Sequence, residues 1–162
     1  MAGSVFVTNF GVIPFLMTSV SFRSADRTLR LAGKTQVKDF IVSLFKKEKQ
    51  TLAHITYVFC SDAFLLQMNR NFLQHDYYTD IITFSLSEKG VPVEAEIYIS
   101  LDRVKDNAQT LGRPLTEETL RVIFHGALHL CGYKDKKKSE IALMRRKEAQ
   151  YLRLFEKIRA NA

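Results

Sequence analysis

Apolar residues recur along this chain with two different periods, and the alternation between them marks out the elements. Between Lys34 and Lys49, Val37, Phe40, Ile41, Leu44 and Phe45 fall three and four apart, the period of an amphipathic helix. Leu52 to Cys60 is instead dense in β-branched and aromatic residues and predicts a strand. Ser61-Asp62 follows it as an N-cap pair for a helix reaching about Leu73. Two further strands are expected over Asp80 to Leu86 and Glu94 to Ser100, separated by the turn-like Glu88-Lys89-Gly90 in the manner of a hairpin. Leu101 to Leu111 reads as a helix closed by Gly112, and Thr116, with Glu117 and Glu118 in its first turn, opens the next. Ser139 caps a last helix in which Ile141, Met144, Tyr151, Leu152 and Phe155 form an apolar stripe. Shorter β-favouring runs lie at residues 4–10 and 18–23. The class is α+β, a small mixed sheet packed with helices.

Length adds that one domain, residues 1–162, is expected, large enough to bury a core without disulfides. There are no repeats or low-complexity segments, and three prolines argue for no linker. No stretch approaches a membrane span. The apolar residues of Ser4 to Val20 lack a basic leader and are broken by Asn9 and Pro14, so they read as folded chain in a cytoplasmic protein. Cys60 and Cys131 stand in apolar surroundings outside any paired-cysteine motif and read as buried free thiols. Charge changes the picture more. The net charge of +7 favours an acidic partner, nucleic acid above all. From Lys134 to Arg159 ten Lys or Arg face four acids, so the imbalance is concentrated in the last part of the chain.

That basic stretch follows the segment with the clearest chemistry, His125-Gly126-Ala127-Leu128-His129-Leu130-Cys131-Gly132-Tyr133-Lys134-Asp135. Histidines four apart on a helix stack on one face and can reach a single ion. Gly132 can take the positive φ that ends a helix and turns the chain, carrying Asp135 round as a third ligand. Two nitrogens and a carboxylate with a fourth position for water make up a catalytic zinc site. The spacing matches the zinc-protease pattern H-E-x-x-H-x-x-G-x-x-H in both histidines and the glycine, a zincin-like metal helix followed by a tight turn. Gly126 occupies the place of the protease's glutamate base, so peptide hydrolysis would need another base.

His-Gly-x-Leu-His-Leu-x-Gly-Tyr followed by a third ligand resembles the YbeY family of metal-dependent endoribonucleases of ribosomal RNA maturation. Asp76 with Thr79-Asp80-Ile81-Ile82-Thr83-Phe84 is similar to that family's Asp-x-x-Thr-Asp-Val-Leu-Ser-Phe segment. Glu96-Ile97-Tyr98-Ile99-Ser100 is similar to its Gly-Asp-Ile-x-Ile-Ser strand, and about Leu52 to Glu148 runs in register. The chain departs from the pattern twice. Asp135 stands where the family usually has a histidine, and Leu73 stands where it usually has an arginine implicated in RNA handling. His75 and Arg121 are the nearest cations to replace that arginine as phosphate-stabilising groups. Arg121, one turn before His125, suits bidentate contact with a phosphorane, or equally an ordinary salt bridge.

The resemblance implies a single-strand-specific endoribonuclease acting on ribosomal RNA or its precursors, with His125, His129 and Asp135 holding one zinc per chain and water at the ion attacking. The donor set accepts nickel, cobalt or iron as well. Ribosomal subunit proteins are further expected partners, and a membrane is not. Tyr77 and Tyr78 are available to stack on bases. Two other readings stay open: a metalloprotease-like amidohydrolase, and a non-catalytic ribosome-assembly factor with a structural metal site.

Overall fold

The computed structural model describes residues 17–162, so the expected strand at residues 4–10 lies outside the described residues. In chain order the elements are β1 (Ser19–Ser24), α1 (Lys34–Lys47), β2 (Leu52–Cys60), α2 (Asp62–Leu73), β3 (Ile81–Ser85), β4 (Val93–Ser100), α3 (Leu101–Leu111), α4 (Leu115–Leu130) and α5 (Lys138–Ala160). The strands form one mixed sheet of order β1-β2-β4-β3. β1 and β4 both run parallel to β2, while β3 pairs antiparallel with β4 in the expected hairpin. The described residues thus make one small α+β domain.

The side-chain alternation of the strands separates two cores. Ile55, Tyr57 and Phe59 of β2 and Ala95, Ile97 and Ile99 of β4 face the larger one, which α1, α3, α4 and α5 complete with Phe40, Val104, Phe124, Tyr151 and Phe155. Phe40 sits 5.1 Å from both the Phe124 and Phe155 ring centres, joining the first helix to the last two. Cys60, Leu65 and Ile82 form the smaller core under α2 on the opposite face.

Two helix starts differ from expectation. α4 begins at Leu115 after Pro114 rather than at Thr116, because proline's φ of −57° already suits the entry and its carbonyl accepts from the Glu118 N–H. α5 begins at Lys138 after an N-cap Lys137 rather than at Ser139. The Glu140 carboxylate reaches back to the backbone N–H groups of Lys136 and Lys137, at 3.1 and 3.0 Å, and satisfies donors that a serine would otherwise serve. Ser61 and Ser100 do cap α2 and α3 through their hydroxyls. Cys60 is buried as expected, whereas Cys131 is only half-buried, because it lies at the end of α4 where the helix leaves the core. Burial pushes both thiols up to about 12, so both stay protonated at neutral pH. No helix among the described residues is long and apolar enough to cross a membrane.

A polar clamp closes the far end of this core. Glu48, just past α1, accepts from Tyr133 Oη at 2.8 Å, from Lys147 Nζ at 2.9 Å and from Tyr151 Oη. Burial pushes the Glu48 carboxyl up, but the donors Tyr151, Lys147 and Tyr133 outweigh it and hold the group below the ordinary carboxylate range. A depressed folded pKa adds stability that is present above the unfolded value of about 4.3 and lost as pH falls through the folded one. Glu48→Gln is therefore expected to lower stability by about 1–3 kcal/mol at neutral pH and to flatten the acid limb of the pH profile. Urea denaturation of both chains at neutral and mildly acidic pH measures the two effects, and parallel acid limbs would contradict the assignment.

Candidate metal centre

α4 is pressed onto the sheet at two points. The buried Tyr57 hydroxyl donates to the Ile123 carbonyl at 3.0 Å. Three residues on, Gly126 lies so close to the strands that an added Cβ would meet Ile81 Cδ1 at 2.9 Å and two atoms of Ile97 at 3.1 Å. Glycine at 126 is thus a packing requirement. A glutamate there would point into the sheet, which removes the structural basis for a protease-type base at this position. With this side of α4 fixed, His125 and His129 emerge together along the neighbouring face, with ring centres 4.5 Å apart.

α4 ends at Leu130 with Cys131 as its C-cap, and Gly132 adopts φ +102°, a conformation that L side chains rarely adopt. Its N–H donates to the His129 carbonyl and that of Tyr133 to the Leu128 carbonyl, so the chain turns back on the helix end. The turn brings Asp135 to the histidines. His125 Nε2, His129 Nε2 and Asp135 Oδ2 converge, separated by 3.0, 3.2 and 3.4 Å. The three expected ligands are therefore assembled.

The hydrogen-bond partners of the rings show what such a cluster needs. His125 Nδ1 lies 2.6 Å from Glu148 Oε1 and His129 Nδ1 lies 2.9 Å from the Tyr133 carbonyl, both acceptors, so each Nδ1 donates outward. Serving as metal ligands, such rings would turn both Nε2 lone pairs inward, toward each other and toward a carboxylate oxygen. Three acceptors this close repel unless positive charge lies among them. A tetrahedral ion with bonds of about 2.0–2.1 Å would separate its ligands by about 3.3–3.4 Å, close to the spacings present, so the donor set fits a zinc-like ion. These inner atoms face a cleft of about 630 Å³ whose walls include His75, Tyr77, Asp80, Ile81 and Lys136. Leu73, in the place of the missing arginine, lines it too.

His75 thus stands in the cleft, stacked on Tyr77 at 5.1 Å with its Nδ1 3.0 Å from the tyrosine oxygen. Tyr78 is exposed and lies under the Arg103 guanidinium. Arg121 sits deeper. It donates to both Glu118 oxygens at 2.9 and 2.7 Å and to Glu148 Oε1 at 3.2 Å, with Asp80 at 3.8 Å, which is the salt-bridge alternative. Burial works against its charge, but Glu118, Glu148 and Asp80 override that and raise its pKa. The Glu148 carboxyl is likewise pushed up by burial and brought below its usual range by His125 and Arg121. Glu148 is the functional candidate that sequence reasoning missed. Its signal was present, since it interrupts the apolar stripe Met144, Tyr151, Phe155 at helical spacing, and a carboxylate in a buried stripe requires a partner.

With the geometry described, similarity to known proteins becomes informative. The family model for Endoribonuclease YbeY matches residues 20–156, a span that includes all three converging side chains and Glu148. The chain belongs to the Endoribonuclease YbeY family. Proteins named Endoribonuclease YbeY from Cytophaga hutchinsonii and Parabacteroides distasonis are 47% and 39% identical to it, over 84% and 85% of this chain and 95% and 96% of theirs. The solution structure of a Thermotoga maritima protein superposes with a TM-score of 0.61 at 26% identity, covering 88% of this chain and 93% of that one. The YbeY fold thus extends well beyond the metal motif.

The packing at Gly126 is directly testable. Gly126→Ala should cost about 1–3 kcal/mol by forcing Ile81, and with it Ile97, aside. Gly126→Glu, which restores the zinc-protease signature, should destabilise more and yield no peptidase. Thermal denaturation and digestion of a peptide library check the pair, and a stable Gly126→Glu chain would show that the helix has room to spare.

Proposed function

We propose that this YbeY-family chain is a metal-dependent endoribonuclease that hydrolyses single-stranded stretches of ribosomal RNA precursors in the cytoplasm, near ribosomal subunit proteins. The observation that carries this reading is the convergence of His125 Nε2, His129 Nε2 and Asp135 Oδ2 on a cleft in a member of an endoribonuclease family. One zinc, or nickel, cobalt or iron in its place, would be held by these three groups and would supply Lewis-acid activation of water and of the phosphoryl oxygen.

The chain's own residues do the rest. Glu148 and the Tyr133 carbonyl hold the two imidazoles in the tautomer that presents Nε2 inward. His75 and Lys136, both on the cleft walls, are assigned to the phosphate. Arg121, committed to Glu118 and Glu148, is assigned to keeping Glu148 charged behind His125, and reaches the phosphate only if those pairs open. Tyr77 offers a ring on which an unpaired base can stack. A single strand suits this reading, because its unpaired bases can turn onto the cleft wall while a duplex keeps its bases stacked inside.

Metal-loaded protein should cleave a single-stranded ribosomal RNA fragment, with chelator abolishing the cut and His125→Ala or His129→Ala lowering the rate by at least about 100-fold. Unchanged cleavage in both variants would sink the site, whereas RNA binding without cleavage would favour the assembly-factor reading. Elemental analysis of Asp135→Ala should find less than one metal per chain, and stoichiometric metal there would remove Asp135 from the ligand set. Glu148→Ala should retain the fold but bind metal about 10–100-fold more weakly, as read by competition with a chromogenic chelator.

A further inference from the structure

The face of α4 that carries the two histidines continues beyond them. Glu117, Arg121, His125 and His129 follow at intervals of four, one above another, over roughly 18 Å of helix. Three hollows lie in series along this stripe. The cleft shares His125 and Asp135 with a hollow of about 190 Å³ walled by Met144 and Arg145 of α5. That hollow in turn shares Arg121, Arg145 and Glu148 with a groove of about 480 Å³ lined also by Leu111, Arg113, Glu117 and Leu152. A trough therefore runs from the cleft, past the converging ligands, to the turn between α3 and α4.

Its charge is uneven. The Arg121 guanidinium is neutralised by Glu118 and Glu148, and Glu117 adds one acid to the far groove. Against these stand Arg113, 43% exposed and 3.8 Å from Glu118, and Arg145, which is exposed. None of the ion pairs within 4 Å among the described residues involves Arg145. An unpaired guanidinium over a trough open to solvent suits a passing phosphate, and Leu111 and Leu152 offer apolar surface to sugar and base.

We propose that this trough is a second RNA subsite, which holds the nucleotides on one side of the cut along α4, with Arg145 and then Arg113 contacting their phosphates. The inference rests on the reading of the cleft as an RNA site and extends it. The substrate is then an unpaired strand long enough to cross the ion and continue between α4 and α5, and affinity grows with length until the trough is filled.

The test compares end-labelled single-stranded oligouridylates of about four and about twelve nucleotides, read by fluorescence anisotropy on mixing with metal-loaded protein before turnover. Arg145→Glu should bind the longer strand roughly tenfold more weakly and the shorter within about twofold of the parent. Arg145→Ala should lower the salt dependence of the longer strand's binding by about 0.7 in logarithmic slope, the value of one lost phosphate contact on a single strand. Arg145 is exposed on α5, so both variants should keep the parent's unfolding temperature and metal content. Equal affinity of parent and variant for the longer strand would overturn the proposal, as would equal weakening at both lengths, which signals a general field. Displacement of the longer strand by polyglutamate as readily as by unlabelled RNA would also overturn it, in favour of an acidic peptide. The proposed cleavage reaction fails separately, by an intact parent that leaves RNA uncut, a result anisotropy does not read.

Discussion

The hydrogen bond between His125 Nδ1 and Glu148 sets terms that much of the α4–α5 side must meet. For two imidazoles to face one ion, each must give its outer nitrogen's proton to an acceptor that stays put. Tyr133 provides one from the backbone, which costs nothing in charge. Glu148 provides the other as a carboxylate that is 7% exposed, and a buried anion is tolerable only with a partner. Arg121 is that partner, and a half-buried guanidinium between α4 and α5 is held by Glu118 in turn. The ladder Glu118, Arg121, Glu148, His125 is therefore one unit. It explains why an arginine one turn from the site is committed to ion pairs.

The other constraints are steric. Gly126 lets α4 settle on Ile81 and Ile97, and β3, which supplies Ile81, also forms part of the cleft wall, so packing and site share a strand. Gly132 and the Glu48 clamp fix the returning loop from opposite sides. The glycine permits the reversal, and Tyr133, whose hydroxyl donates to Glu48, lends its carbonyl to His129. One residue of the loop thus links Glu48, just past α1, to the orientation of the His129 ring.

Much of this was legible in the sequence because it is local. The His125, His129, Gly132, Asp135 spacing encodes a helix face and a turn, and both follow from backbone geometry alone. The helix over Leu101–Leu111 and the strand over Leu52–Cys60 have the expected bounds, since serine caps and β-branched runs act within a few residues. The starts of α4 and α5 were misplaced because the usual capping residue types, Thr116 and Ser139, lay within reach of less usual solutions, a proline and a back-reaching Glu140. Glu148 and Glu48 were not legible as parts of the site, since their partners lie 23 residues or more away. Glu148 was marked only by its place in an apolar stripe, and Glu48, among Lys47, Lys49 and Gln50, by nothing.

The loss of the family arginine at Leu73 takes on a different meaning in this frame. Leu73 lines the α2 side of the cleft, so that wall presents a hydrocarbon where the resemblance leads one to expect a guanidinium. The sequence offered His75 and Arg121 as replacements, yet Arg121 belongs to the ladder behind His125, and an arginine between Glu118 and Glu148 cannot also serve an incoming anion without leaving one of them unpaired. On the proposed function, the cations outside the ladder are Lys136 on the cleft wall and, beyond the cleft, Arg145 along the trough. Both lie in the basic stretch that follows the metal motif. On the proposed function, these two are the members of that positive excess placed to meet phosphate.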